Sequence, residues 1–504
     1  MTQNTTSRRS FLKQGSACAA GVAASQLACA ASTPAKERPN IIWVVAEDQS
    51  KHYGFNGERL VTTPHLDKLA AEGVQFTQAM VTAPVCSACR SALSTGMYQT
   101  SIGAHHHRSG RGAEKIQLPA HVIMIPQYFQ EAGYYTTLGS IGHIVNPGEN
   151  KRLGKSDYNF EWDESIIDSN EWSGRAEGQP FFAQIMISGG KARTSAAKDK
   201  KIPHVNPDNV TLPPYYPDHP VIKEDWAAYL DTFSQMDYQV GQLMERLTTE
   251  GILDNTVIFY ITDHGVSHAR GKQYVYDEGI MIPLVIYAPG RIEKAGTVRD
   301  DLVAHIDLAA TSMYFAGIDI PDYLESRPLY GPDYKPRDYV VSARDRCDET
   351  VDRLRSVRTN DFKYIRNGFP KRPHLQPCVY KDEKDIYKAL RQWQQEGKLN
   401  ELQERLLFAP ERATEELYDL KNDPWETLNI AEDKAQREAL VKMRGMLDGW
   451  IQETGDNGQQ PESMSMYDSD MEAYYQSIGR NKPERVPMIK KNVDMHKRWL
   501  AEGK

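Results

Sequence analysis

The sequence predicts an α/β fold, a mostly parallel sheet sandwiched by helices, followed by a smaller C-terminal α+β subdomain. Three observations carry this. Continuous apolar runs recur through roughly the first 300 residues, amphipathic stretches separate them, and past about Tyr330 short strands and longer helices take over. Asn40-Ile41-Ile42-Trp43-Val44-Val45-Ala46 has no polar face, the pattern of a strand covered on both sides. Pro64 to Glu72, Ser91 to Thr95 and Val122 to Ala132 read as amphipathic helices, and Phe181 to Ile187 as the next buried strand. Gly189 to Pro220, rich in Lys, Pro and Asp without a period, reads as a long surface loop. A long helix over Glu224 to Glu250 leads to strands at Thr256 to Ile261 and Pro283 to Tyr287. Beyond come strands at Tyr339 to Ala343 and Phe362 to Arg366, then helices at Lys384 to Leu407 and Lys434 to Glu453. The expected division is 38–330 for the N-terminal domain and 331–504 for the C-terminal subdomain.

Composition narrows the function. Of 504 residues, 40% are hydrophobic and 25% charged, which excludes a disordered or fibrous chain. The net charge of −8 argues against a general nucleic-acid binder. No apolar run reaches the ~18 residues of a membrane-spanning helix.

Residues 1–30 read as an address. Ser7-Arg8-Arg9-Ser10-Phe11-Leu12-Lys13 precedes an Ala-rich stretch from Gly15 to Ala28, and Ala28-Cys29-Ala30 offers an A-x-A cleavage site. This order is a twin-arginine export signal, whose machinery moves folded protein to the periplasm or outside. Gln26-Leu27-Ala28 before Cys29 is a poor lipobox, so a lipid anchor is not expected. Outside this segment only Cys86, Cys89, Cys347 and Cys378 remain, too few for a disulfide framework.

The chemistry gathers at strand ends. In an open α/β sheet ligands bind beyond the carboxyl ends of the strands. One apolar run ends in Glu47-Asp48 and another in Asp263-His264. Three carboxylates and an imidazole brought together there form an oxygen-rich site for Ca²⁺ or Mg²⁺, although each pair alone reads equally well as helix capping. A third element is Pro84-Val85-Cys86-Ser87-Ala88-Cys89-Arg90-Ser91-Ala92-Leu93-Ser94-Thr95-Gly96. Cys86 falls at a loop-to-helix junction, with Arg90 four residues on and on the same face. It reads as a buried structural thiol or as the first residue of a modification motif. The phosphatase pattern needs Arg at 92, where alanine stands.

Here the chain resembles the type I sulfatases, in which the cysteine of C-x-P/A-x-R is oxidised to formylglycine. Cys86-x-Ala88-x-Arg90 with Ser94-Thr95-Gly96 carries the likeness. So do Thr63-Pro64-His65-Leu66-Asp67 and Gly73-Val74-Gln75-Phe76 upstream, and Thr262-Asp263-His264-Gly265, Gly271-Lys272 and Leu417-Tyr418-Asp419-Leu420 downstream. Leu212-Pro213-Pro214-Tyr215-Tyr216 and the Arg344–Thr350 segment resemble the branch near heparan N-sulfatases and bacterial polysaccharide sulfatases.

The resemblance implies an alkaline-phosphatase-like fold and hydrolysis of sulfate, O- or N-linked, from a sulfated carbohydrate. It implies a catalytic domain over 38–330, a cleft closed by 331–504, and a cytoplasmic formylglycine-generating maturation enzyme as partner. It places Glu47, Asp48, Asp263, His264 and position 86 around Ca²⁺, Arg90 beside the modified residue, and Lys272 on a sulfate oxygen. The family's Gly-Lys-x-His is displaced. Lys155 is assigned its lysine, from Gly154-Lys155-Ser156, and His143 is the candidate general acid. A histidine normally following the Phe181–Ile187 strand is missing, with Lys191 and His204 as candidate replacements. His105, in the run His105-His106-His107, is expected to line the cleft with Arg108 and meet substrate, with a solvated loop as the other reading. Arg344 and Arg346 are expected to grip a carboxylate or second sulfate, or to form salt bridges; Tyr215-Tyr216 stacks on sugar or packs the loop. The rival functions are a phosphatase or phosphodiesterase of the same fold and a non-catalytic glycan binder.

Overall fold

β1 (Asn40–Ala46) is buried along its whole length, as its unbroken apolar run requires. The computed structural model describes residues 38–504 apart from 293 and 333, so the expected export signal lies outside the described residues. β1 lies inside a seven-stranded sheet. The other members are β2 (Val74–Met80), β3 (Tyr135–Ser140), β4 (Phe181–Ile187), β5 (Thr256–Thr262), β6 (Met281–Tyr287) and β7 (Thr297–Ala304), and the spatial order is β3-β4-β1-β5-β6-β2-β7. Only β6 runs against its neighbours in this sheet. In register, Ala46 lies opposite both Ile187 and Thr262, so β4, β1 and β5 end level at one edge.

Both faces are covered. Trp43 donates from Nε1 to Ser312 Oγ at 2.8 Å, on the helix Asp307–Ala316. Tyr260, in register with the next residue Val44, points the other way and its hydroxyl reaches Met236 Sδ at 2.9 Å, on the helix Pro220–Thr249. β2, β3 and β7 have no continuous apolar run to announce them. β3 and β7 occupy the sheet edges, where polar residues are tolerated.

The second sheet is an antiparallel meander of β8 (Val340–Arg344), β9 (Leu354–Arg358), β10 (Phe362–Asn367) and β11 (Glu415–Asp419). The Ala343 N–H donates to Thr82 O at 2.8 Å, and Ser342 Oγ to Val81 O at 2.6 Å. β8 thus holds the segment running from β2 to Cys86. Residues 38–504 form one compact unit. Its last two helices, Met464–Asn481 and Val486–Ala501, share a small core around Tyr467, Tyr474 and Ile489. No helix among the described residues is long and apolar enough to cross a membrane.

Several helix boundaries differ from expectation. The helix expected from Ser91 starts at Cys86; all ten of its residues are buried, so no amphipathic stripe marks its first turn. The long helix starts at Pro220, whose fixed φ suits a first turn and whose neighbour His219 caps it. The run expected over Lys384–Leu407 breaks after Gln395, near Gly397 in the left-handed region, and resumes at Glu401 behind the Asn400 cap. Gly189 to Pro220 contains three short helical turns rather than unbroken loop.

Candidate active site

The level strand ends place two pairs of residues and a three-residue turn side by side. After β1 come Glu47 and Asp48, after β5 Asp263 and His264, and after β4 the turn Gly189-Gly190-Lys191. That turn must be glycine: a Cβ on Gly190 would meet Asp48 O at 2.1 Å. This closeness lets Lys191 reach across the end of β1. The fourth contributor is Cys86, the first residue of its helix, where the unpaired N–H groups favour negative charge.

Cys86 Sγ is 2% exposed as a residue and lies 3.1 Å from Lys272 Nζ, 3.4 Å from Lys191 Nζ and 3.2 Å from His264 Nε2. Burial opposes a thiolate there, but Lys191 and Lys272 outweigh it and bring the thiol down to about 7. Cys89, Cys347 and Cys378 are equally buried, and burial pushes all three thiols up. Among the four, Cys86 alone is prepared to react.

The carboxylates are held around this sulfur. Arg90 bridges Glu47 at 2.8 Å and Asp263 at 3.4 Å. Lys272 Nζ sits 3.0 Å from Asp48 Oδ1, and the Asp48 N–H donates to Asp263 Oδ1 at 3.0 Å. Asp48 has φ +55, a costly backbone state for a non-glycine residue. His264 Nδ1 donates to Gly265 O at 2.9 Å, which directs Nε2 at Cys86 and at Asp48, 3.4 Å away. Burial opposes ionised Asp48, yet Lys272 and Lys191 hold its carboxyl well below the usual range. One donor atom from each of Asp48, Cys86, Asp263 and His264 lies within 4.8 Å of the others. Two carboxylates, an imidazole and an atom of residue 86 fit a divalent cation. Glu47, also expected among these ligands, lies beside the group and, like Asp48, is paired with cations: Arg90, Lys155 and Lys191, the last at 2.7 Å.

Other expected residues divide. Lys155 arrives on Glu47 and Lys191 on the sulfur. His204 does not come with them: its Nδ1 pairs with Asp231 at 2.9 Å, on the flank of the long helix. His143 bonds locally, Nδ1 accepting the Ser140 N–H at 3.0 Å as part of a helix cap. Arg346 is 1% exposed and fully engaged, by Glu462 at 2.6 and 2.7 Å and Asp470 at 2.7 Å. Arg344 is buried on Asp352. Neither guanidinium faces solvent; the donors of Arg346 are all engaged, while Arg344 Nε finds no partner among the described residues. Tyr215 and Tyr216 are buried as well, Tyr216 donating to Ala269 O, so they pack the loop. His105 lies buried against His106, and burial takes it down to about 4. The histidine run instead meets the site through His107, whose Nδ1 is 2.8 Å from Ser87 Oγ.

Sequence reasoning missed Tyr380. It comes from the C-terminal region, donates its hydroxyl to Asp48 Oδ2 at 3.3 Å, and lies with its ring 5.2 Å from Lys272 Nζ. No motif or spacing marks it.

Comparison with known proteins agrees with this arrangement. A family model described as Sulfatase matches residues 39–318, and one described as N-sulphoglucosamine sulphohydrolase, C-terminal, matches 264–407. An ulvan-active sulfatase of Formosa agariphila is 32% identical over 475 residues, covering 85% of this chain and 77% of its own. Human N-sulphoglucosamine sulphohydrolase is 24% identical, with 84% and 91% covered. A solved 2-O GAG sulfatase superposes with a TM-score of 0.60 at 18% identity, over 86% of this chain and 96% of that one.

Proposed function

Because the chain belongs to the sulfatase family, we propose that it removes sulfate from a sulfated carbohydrate using formylglycine made from Cys86 and a bound Ca²⁺. It is a sulfuric ester hydrolase, and the relatives named for ulvan and N-sulphoglucosamine support a glycan substrate. The observation that carries the reading is the Cys86 sulfur, which has two lysines and a histidine within 3.4 Å at the edge where the carboxylates gather. Asp48, Asp263, His264 and residue 86 would hold the cation. Formylglycine supplies, as its hydrate, an oxygen nucleophile and a second hydroxyl, and the cation lowers the pKa of that oxygen.

The chain's own residues do the rest. Lys272 and Lys191 hold sulfate oxygens and offset the charge that develops on them. Arg90 keeps Glu47 and Asp263 in position, and Lys155 presents a further cation at the mouth. Overall one water is consumed: a new oxygen–sulfur bond forms as the bond from sulfur to the carbohydrate oxygen or nitrogen breaks, sulfate is released, and the departing atom takes a proton. Lys191, just after the strand where the family's histidine is missing, is the candidate donor of that proton. Ser7–Lys13 supports maturation in the cytoplasm followed by export of the folded protein.

The test has two stages. Mass spectrometry of the peptide spanning residues 84–90, after co-expression with a maturation enzyme, should find formylglycine. Sulfate release is then measured on defined O- and N-sulfated oligosaccharides, with phosphate esters alongside. A protein with formylglycine that releases no sulfate from any of them is the non-catalytic glycan binder; faster phosphate release would make it the phosphatase.

A further inference from the structure

Arg346 is locked in buried pairs, whereas Arg108 and Arg111 present their guanidinium groups to open space near the site. They line a cavity of about 460 Å³, within the range of small-molecule pockets, together with Lys115, Asp157, Asn159 and Tyr474. Both walls are tied to the candidate active site. The Arg108 N–H donates to Ser87 Oγ at 2.9 Å, one residue from Cys86. Across the cavity, Asp157 lies 3.3 Å from Lys155 Nζ, and Lys155 reaches Glu47.

The two arginines are loosely held. Arg108 Nε is 3.4 Å from Asp157 with its side chain 41% exposed, and Arg111 is 3.4 Å from Asp348 with 25% exposed. The structural arginine Arg346 pairs at 2.6 to 2.7 Å instead. Arg111 also lies over the Tyr474 ring, at 5.2 Å, which fixes one face of its fork. The backbone is strained on both walls, at Arg108 (φ +56) and Asp157 (φ +51), as at preorganised ligand clamps. Asn159, 2% exposed, uses its amide nitrogen on the chain, while its Oδ1 accepts from no group among the described residues.

We propose that this cavity is a subsite for the sugar next to the one that loses sulfate, and that Arg108 and Arg111 grip an oxyanion on it, carboxylate or second sulfate. This rests on the sulfatase reading above. A guanidinium fork matches either oxyanion with two parallel hydrogen bonds. Arg108, Arg111 and Lys115 are the cations of this lining, and the long pairs of the two arginines leave their remaining donors to an incoming oxyanion.

The test compares the native enzyme with Arg108→Gln, Arg111→Gln and Arg108→Lys, each with its formylglycine content measured. Three oligosaccharides share the scissile sulfate; their neighbouring sugar carries a carboxylate, a second sulfate, or neither. The preference in kcat/KM for anionic over neutral substrate should fall about ten-fold or more in each Gln variant, through KM, with Arg108→Lys intermediate. Whichever oxyanion shows the larger fall is the ligand. A native enzyme without such a preference, or variants that keep it, would overturn the proposal. Calorimetric titration of the Cys86→Ala protein with the same oligosaccharides reads the subsite without turnover. If nothing is desulfated the sulfatase reading fails, and the titration still decides the subsite.

Discussion

Two buried clusters of charge in this molecule look alike in composition and behave as opposites. Around Cys86, three lysines and Arg90 meet Glu47, Asp48 and Asp263. Beside the second sheet, Arg344, Arg346, Arg355 and Arg412 meet Asp352, Glu462, Asp470 and Asp456. In the second cluster the forks of Arg346, Arg355 and Arg412 are closed: Arg355 takes Asp456 at 2.7 and 2.9 Å, and Arg412 takes Asp352 at 2.9 and 3.0 Å. In the first, the lysines share their carboxylates with one another and with the sulfur. Lys191 alone lies within 3.7 Å of Glu47, Asp48 and Cys86. Arginine's rigid fork suits permanent pairs, while the point charge of lysine can turn from a carboxylate to an incoming anion. Charge density does not distinguish a site from a brace. Charges with partners still to gain do.

That contrast can be broken at either end. The largest effect belongs to Cys86→Ala, which should cost at least about 10⁴-fold in sulfate release and leave the thermal unfolding midpoint within a few degrees. Surviving turnover would mean that the nucleophile lies elsewhere. Arg346→Ala should do the reverse. It strands Glu462 and Asp470 in the interior, so denaturant titration should show a loss of about 3–5 kcal/mol, with KM for oligosaccharide little changed in the protein that stays folded. A KM effect exceeding the stability effect would return Arg346 to substrate binding. Lys191→Ala should slow sugar sulfates about 10²-fold while slowing an aryl sulfate, whose leaving group needs no proton, about ten-fold less. Equal losses on both would leave Lys191 as a sulfate anchor only.

The smallest effect is one of pH and lies outside both clusters. Burial opposes charge on His52, but a hydrogen bond with Glu278 and the nearby carboxylate of Glu58 outweigh it and raise the group to about 9. A raised folded-state value gives stability that is fully present below the unfolded value near 6.5 and lost as pH climbs toward 9. The unfolding midpoint should therefore decline over that window, and His52→Gln should flatten the decline.

Much of the fold was legible because buried strands announce themselves locally. β1 and β4 match their apolar runs residue for residue, and β5 to within one residue. β2, β3 and β7 were not legible, since interrupted apolar patterns at and near a sheet edge resemble loops. The cysteine motif was legible because Cys86, Ala88 and Arg90 share one helical turn, where spacing is geometry. Tyr380 had no such signal; it reaches Asp48 from the far part of the chain.

The sequence by itself determined which strand ends carry acid, which cysteine opens a helix and which family pattern they form. These are local properties, written in neighbouring residues. Only the tertiary structure decided among the basic residues: Lys191 rather than His204 beside Cys86, Arg108 and Arg111 as open forks where Arg346 is closed, His107 rather than His105 against Ser87. Those choices depend on what else is packed within reach of each side chain, because a charge already matched by a buried partner has nothing left to offer a substrate.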